Sequence, residues 1–358
     1  MLGKLGRLFA TVVVIIGVLV LFGRDWLAER AFQRALDANV GIDQSAALPD
    51  GLHAYVCGSG SPMPDADRAG PCIAVLAGNQ AFVFDAGSGA IRKLLRMGFP
   101  IDKLQAGFLT HLHSDHIDGL GELLLQAWVG GSRGAPLPVF GPAGTAQVLD
   151  GLMRAYEIDK GYRVAHHGTA TARPSGFGGS AQVLALPDGT DSMTVYDRGG
   201  VRITVIRVDH KPVAPAFAYR IDYKGRSLAI SGDTVFSPAF NTASKGVDVM
   251  FHEALNKDMV AALGAKLAER GRKDAAKIMA DIPDYHASPA DAARAAQAAG
   301  AKSLVLYHLV PPVPVRLIER KFLGDAPDAF DGDLRLAHDG MMVSLPAGKK
   351  SIDYTNAF

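Results

Sequence analysis

Hydrophobic and polar positions along this 358-residue chain fall into three patterns. The first is an uncharged apolar run at 8–23, with Lys4 and Arg7 before it and Arg24 after it, followed by RDWLAERAFQRALDA, which continues as helix. A spanning helix needs roughly 20 apolar residues, so the run is slightly short unless Trp26 and Leu27 extend it at the interface. The second is a set of short Val/Ile-rich segments bounded by Gly, Pro and Asp, at 52–57, 72–76, 81–84, 107–110 and 137–140, then at 201–208, 216–222, 227–231, 247–251 and 303–307. These predict buried strands. The third is helical: SPADAARAAQAAGAK, with Ser288 as N-cap and Pro289 at the first helical position, and 257–282, where Met259 and Leu263 share a face. A lid and an ordinary solvated helix both fit 257–282. The stretch 151–192, with HHG at 166–168 and RPSGFGGS, reads as a long connection of a kind that is usually functional or mobile. Strands with interspersed helices imply an α/β fold of two sheets layered between helices. Residues 1–44 form a signal anchor and linker in this reading, and residues 45–358 one domain with ample core.

The chemistry concentrates in Thr-His-Leu-His-Ser-Asp-His at 110–116, in a chain with only 11 histidines. Two residues apart on an extended strand end, His111 and His113 point to one side. Asp115 and His116 follow on the next turn, toward a second ion. Three more candidates each end a Val/Ile/Leu-rich run: His210, Asp233 and His308. Seven ligands of this type predict a two-metal site, with Asp233 as the bridging carboxylate.

In order from about Leu52 to His308, through FVFDAGSG at 82–89, the His111 cluster, VDHKPVAPAFAYRI, SGDT, FHEAL and YHASP, the chain resembles the metallo-β-lactamase fold superfamily, specifically its ribonuclease Z and arylsulfatase-like branch. The resemblance implies a four-layer αβ/βα sandwich. It also implies His111, His113 and His210 on one zinc, Asp115, His116 and His308 on the other, and Asp233 on both. Zinc is favoured by imidazole-rich ligation, while iron and manganese suit the same groups. Asp85 would orient a ligand histidine. His286 would protonate the leaving group, with Glu253 setting its tautomer, and Asp115 would share the catalytic work by accepting a proton. For His252 two readings stand open, a group supporting the ligands and a satisfied core residue.

Two departures bear on the substrate. The long transfer-RNA-gripping arm of ribonuclease Z would lie between His210 and Asp233, where only a short sequence stands. The 37 basic and 36 acidic residues give net +1, without the basic stripe that a phosphate backbone calls for. The expectation is therefore a hydrolase that cleaves a phosphodiester or aryl sulfate ester of a small molecule by a metal-bound hydroxide. A lactonase or other carboxyl-ester hydrolase is the alternative, and a transfer-RNA endonuclease or a non-catalytic binding module ranks below. No nucleic-acid partner is expected, and a homodimer is compatible with the sequence. Cys57 and Cys72, the two cysteines, end one strand and begin the next, so that a disulfide and two buried thiols are both open. The apolar run fits an uncleaved anchor better than a cleaved signal peptide, since no small-x-small cleavage site follows Gly23. The catalytic domain is then expected at the membrane, in the periplasm.

Overall fold

The computed structural model describes residues 2–358, which divide into one compact unit up to Ala46 and a second from Ala47 to Phe358. In the first unit the helix Leu2–Asn39 runs without a break through the apolar segment. Its Thr11–Ala38 stretch is long and apolar enough to cross a membrane, by length and composition.

The second unit is built on fifteen strands. The first half holds β1 (Gly51–Gly58), β2 (Cys72–Ala77), β3 (Gln80–Phe84), β4 (Leu104–Phe108), β5 (Leu137–Gly141) and β6 (Gly179–Val183). The second half holds β7 (Ser192–Arg198), β8 (Val201–His210), β9 (Val213–Tyr223), β10 (Arg226–Ile230), β11 (Val249–Leu255), β12 (Ser303–Val310) and β13 (Asp333–Leu336), before β14 (Met341–Pro346) and β15 (Asp353–Asn356). One sheet has the order β15-β14-β1-β2-β3-β4-β5-β6, and the other β13-β12-β11-β10-β9-β8-β7.

Side-chain alternation explains how these sheets stack. Leu52, Ala54 and Val56 of β1, Phe82 and Phe84 of β3, and Val305 and Tyr307 of β12 all meet in one core between the sheets. Their neighbours turn the other way: Tyr55, Cys57, Ala81 and Val83 pack beneath helical residues such as Ile91, Leu94 and Leu123. Leu304 and Leu306 do the same beneath Ala292, Ala295, Ala296 and Phe322. Strands apolar on both faces demand cover on both faces, and four layers supply it.

The expected strands fall close to observed ones, with β4 shifted: it ends at Phe108, so Leu109 and Thr110 already belong to the loop that carries the histidines. Edge strands β6, β7, β13 and β15 escaped the sequence reading because their exposed, half-polar faces lack an apolar run. The stretch 151–192 is mostly ordered: the helix Thr145–His167 occupies its start, with exposed His166 and His167 in its last turn, and β6 follows. Residues 257–282 form two helices, Lys257–Glu269 and Lys273–Asp281. Cys57 and Cys72 are joined as a disulfide across β1 and β2, with Cα atoms 5.1 Å apart.

Candidate metal centre

The centre lies where strand ends and loops from both sheets meet, and local backbone devices aim each group. After Phe84 the chain turns through Asp85, whose φ of 56° is left-handed, a conformation that a short acidic side chain tolerates better than most. Both Asp85 oxygens are used. Oδ1 accepts from the Thr110 backbone N–H at 2.8 Å, and Oδ2 accepts from the Thr110 hydroxyl at 2.8 Å and from His116 Nδ1 at 2.8 Å. Gly87 lets this loop dock against the histidine turn, since a Cβ there would lie 2.4 Å from the Asp115 carbonyl. Gly232, at φ 58°, brings Asp233 in beside Thr110 in the same way.

His308 has its own device. Glu253 pairs with Tyr307 and Ala254 with Leu309, so His308 is the extra residue of a bulge on β12, and its φ is 47°. Bulges re-aim side chains next to active sites, and a non-glycine residue held here costs about 1–3 kcal/mol. Two strained residues at one site are a signature of positions over-determined by their surroundings.

The seven expected ligands come together. Atoms of His111, His113, His210 and Asp233 lie within 4.8 Å of one another, as do those of Asp115, His116 and His308. Asp233 Oδ2 stands between the groups, 3.9 Å from His111 and His210 Nε2, 3.4 Å from His116 Nε2 and 3.3 Å from His308 Nε2. His210 donates from Nδ1 to the Tyr285 carbonyl at 2.9 Å, which leaves the Nε2 lone pair for the centre. His116, tied to Asp85 through Nδ1, does likewise, and its buried Nε2 has no hydrogen-bond partner; the same holds for Asp233 Oδ1. Buried polar atoms without partners are costly, and convergent lone pairs of this kind fit cations.

Electrostatics point the same way. Burial, with His116 adding to it, holds His111 well below the ordinary imidazole value, and burial also lowers His113 and His210. These rings are neutral, the ligating form. Burial would raise Asp233, but the imidazoles of His308 and His116 outweigh it and keep the carboxyl well below its usual range. For His116 burial opposes charge, yet Asp233 and Asp85 hold it well above the usual value.

His286 sits at the border of the cluster. Its Nδ1 donates to Glu253 Oε1 at 2.9 Å, and that oxygen also accepts from the backbone N–H of Ala287 at 3.1 Å and of Thr234 at 3.2 Å. Burial works against its charged form, but the Glu253 carboxylate, with Asp233 nearby, raises its pKa to about 9. His252 points to the opposite face of β11, where its ring packs on Phe240 at 5.7 Å and Nδ1 donates to the Glu253 carbonyl. Its buried Nε2 has no hydrogen-bond partner, so the ring is placed in the core without being fully satisfied there.

A cleft of about 460 Å³ opens over the centre, lined by His113, Asp115, Asp233, His286 and His308 and by Pro62, Met63, Pro64, Ile278, Met279, Ile282, Tyr285 and Val310. Sequence reasoning missed these apolar walls, although the Pro-rich SPMPDADRAG loop beside Cys57 was a signal. Met259 and Leu263, the face singled out on 257–282, are absent from the lining; the next helix supplies Ile278 and Met279.

A family model described as "Beta-lactamase superfamily domain" matches residues 80–309, from β3 through His308. A curated Ribonuclease Z of Mycobacterium marinum is 38% identical over 292 residues, covering 81% of this chain and 97% of its own. Another from Mycobacterium bovis is 37% identical over 290 residues, 80% of this chain and 96% of its own. The chain belongs to the metallo-β-lactamase fold hydrolases, in the ribonuclease Z branch. Two solved structures share the fold. Human tRNase Z, short form, has a TM-score of 0.58 at 21% identity and covers 82% of this chain and 99% of its own. The metallo-beta-lactamase fold protein YhfI from Bacillus subtilis has a TM-score of 0.57 at 23% identity, covering 83% and 100%.

These relatives correct the expected substrate. A small-molecule phosphodiester or aryl sulfate ester, the lactonase alternative and the exclusion of nucleic acid are overturned by curated ribonuclease Z relatives that align over nearly their whole length. The exclusion rested on a short link and a net charge. The link is indeed only the β9–β10 hairpin, but relatives aligned over nearly their full length carry the Ribonuclease Z name all the same. Net charge sums over the whole surface and does not measure what a buried cation site offers one phosphate.

Asp85→Ala should keep the fold yet weaken metal binding about 10- to 100-fold, because His116 loses the partner that fixes its tautomer. Asp233→Ala should lose the metals altogether. Metal content by elemental analysis against a chelator series checks both, and an Asp85→Ala protein that binds metal as tightly as wild type would contradict the assignment.

Proposed function

We propose that this chain is a dinuclear metal-dependent phosphodiesterase of the ribonuclease Z type, an endonuclease that cuts precursor transfer RNA. The observation that carries it is the buried Glu253–His286 pair beside the ligand cluster, in a chain whose curated relatives are named Ribonuclease Z. An alkoxide such as a ribose oxygen leaves poorly unless protonated, and a dedicated acid meets that need.

His111, His113 and His210 hold one ion in this reading, Asp115, His116 and His308 the other, and Asp233 both; the imidazole-rich set suits zinc. Ions bound there would supply Lewis acidity toward the phosphoryl oxygens and a water acidified toward neutrality. Burial would raise the Asp115 carboxyl, but the His308 contact at 3.3 Å outweighs it and keeps the carboxyl lowered, so Asp115 would serve as a proton acceptor beside such a water. His286 is held by Glu253 through Nδ1, so its Nε2 carries the proton to the cleft. As the P–O bond to the leaving oxygen breaks, that proton passes to the oxygen and the ring is left neutral.

We also propose that the helix Leu2–Asn39 tethers the enzyme to a membrane, which its apolar stretch Thr11–Ala38 supports. Mass spectrometry of unreduced, alkylated protein should find Cys57 and Cys72 protected and linked, and both thiols free and labelled would remove the bridge.

The full-length, metal-loaded protein should cut a precursor transfer RNA carrying a 3′ trailer at one position. His286→Ala should retain its metals and lose about 10²-fold or more in turnover, with a smaller loss on bis-p-nitrophenyl phosphate, whose leaving group departs without a proton. Glu253→Gln should show the same pattern more weakly. A loaded wild type that leaves the RNA intact would refute the proposal, and equal losses on both substrates would refute the role of His286.

A further inference from the structure

The cleft over the metal centre divides chemically. Its floor carries every titratable ligand-type group, and among the described residues lining it there is no lysine or arginine. The sides are apolar. One is Pro62, Met63 and Pro64 from the loop between β1 and β2; the other is Ile278, Met279, Ile282 and Tyr285. Met63, Met279 and Ile282 pack into one cluster with Leu255, Val260 and Val310, so the two sides converge at their base.

The loop that carries Met63 is held in place. Asp339 gathers both its ends: Oδ1 accepts from the Ser59 N–H at 2.9 Å and hydroxyl at 2.7 Å, and Oδ2 from the Ala69 N–H at 2.6 Å and Lys93 Nζ at 2.6 Å. The Cys57–Cys72 bridge closes its base. The Ser59 carbonyl accepts from the Leu309 N–H at 3.1 Å, next to His308. A wall fixed before binding spares the ligand the cost of ordering it.

We infer that these walls are a nucleoside subsite, in which Met63 and Ile278, with Met279, Ile282 and Tyr285, grip the base and sugar flanking the scissile phosphate and set the enzyme's preference for nucleotide over simple phosphate esters. The inference rests on the ribonuclease reading and names how its substrate is held. Ions held at the floor would answer the charge of one phosphate, whereas the uncharged side walls offer nothing to a second phosphate and suit a flat, weakly polar ring. Every base has such a face, and thioethers adapt to any of them. Among the residues of the two sides the one side-chain hydroxyl is that of Tyr285, so the subsite accepts purines and pyrimidines alike.

Isothermal titration of the full-length, zinc-loaded protein with uridine 5′-monophosphate, adenosine 5′-monophosphate and methyl phosphate tests this without turnover. All three offer one phosphomonoester, and only the first two offer a nucleoside. Wild type should bind both nucleotides about tenfold or more tightly than methyl phosphate, and the two nucleotides within about threefold of each other. Ile278 is 54% exposed, so Ile278→Ser leaves packing largely intact. It and Met63→Ser should each remove much of the preference while methyl phosphate binds as before. Nucleotides no tighter than methyl phosphate, a strong preference for one base, or equal weakening of all three ligands by Ile278→Ser would overturn the subsite. Nucleotide preference with no cleavage of RNA would leave the subsite standing and remove the ribonuclease reading.

Discussion

An ionised carboxylate almost fully withdrawn from water has to be answered by positive charge, and in this protein that carboxylate is Asp233. It is 3% exposed, and five imidazoles stand within 4.0 Å of its Oδ2: His111, His116, His210, His286 and His308. Left uncompensated, such a charge costs several kcal/mol. The imidazoles around it supply compensation, with His116 and His286 held above their ordinary pKa by the neighbouring carboxylates, and the remaining architecture turns the rings toward a place that cations would fit.

Holding them takes strain and close approach. Asp85 and His308 are both left-handed without being glycine, and each owes its conformation to neighbours: Asp85 to Thr110 and His116, His308 to the bulge between β11 and β12. Gly87 and Gly232 permit backbone approaches that a Cβ would forbid. The support shell is therefore as specific as the ligands. Thr110 orients Asp85, the Tyr285 carbonyl orients His210, and the backbone N–H groups of Thr234 and Ala287 orient Glu253. A sandwich of two sheets brings these together because their strand ends face one cleft.

Much of this was legible in the sequence and some was not, for physical reasons. Ligands announced themselves, because histidines and aspartates at the ends of apolar runs have few other uses, and their mutual order in the chain matched a known arrangement. Buried strands were legible from their composition. Edge strands such as β7 and β13 were not, since one exposed face dilutes the apolar signal. His252 and Glu253 are neighbours on one strand, and only the alternation of faces, visible once β11 is placed between β10 and β12, sends the one into the core and the other to the site. The apolar walls around Met63 and Ile278 were hidden because their meaning depends on which distant segment lies opposite. Chain-wide charge misled the reading of the substrate, as it averages over surfaces that never meet it.

The central claim is that Asp233 bridges two metal ions. Anomalous diffraction at the zinc edge from crystals of the loaded protein tests it most directly. Two peaks about 3.5–4 Å apart are expected, one among His111, His113 and His210, the other among Asp115, His116 and His308, with an Asp233 oxygen reaching both. A single peak, or a pair that leaves Asp233 without a contact to either ion, would contradict the account.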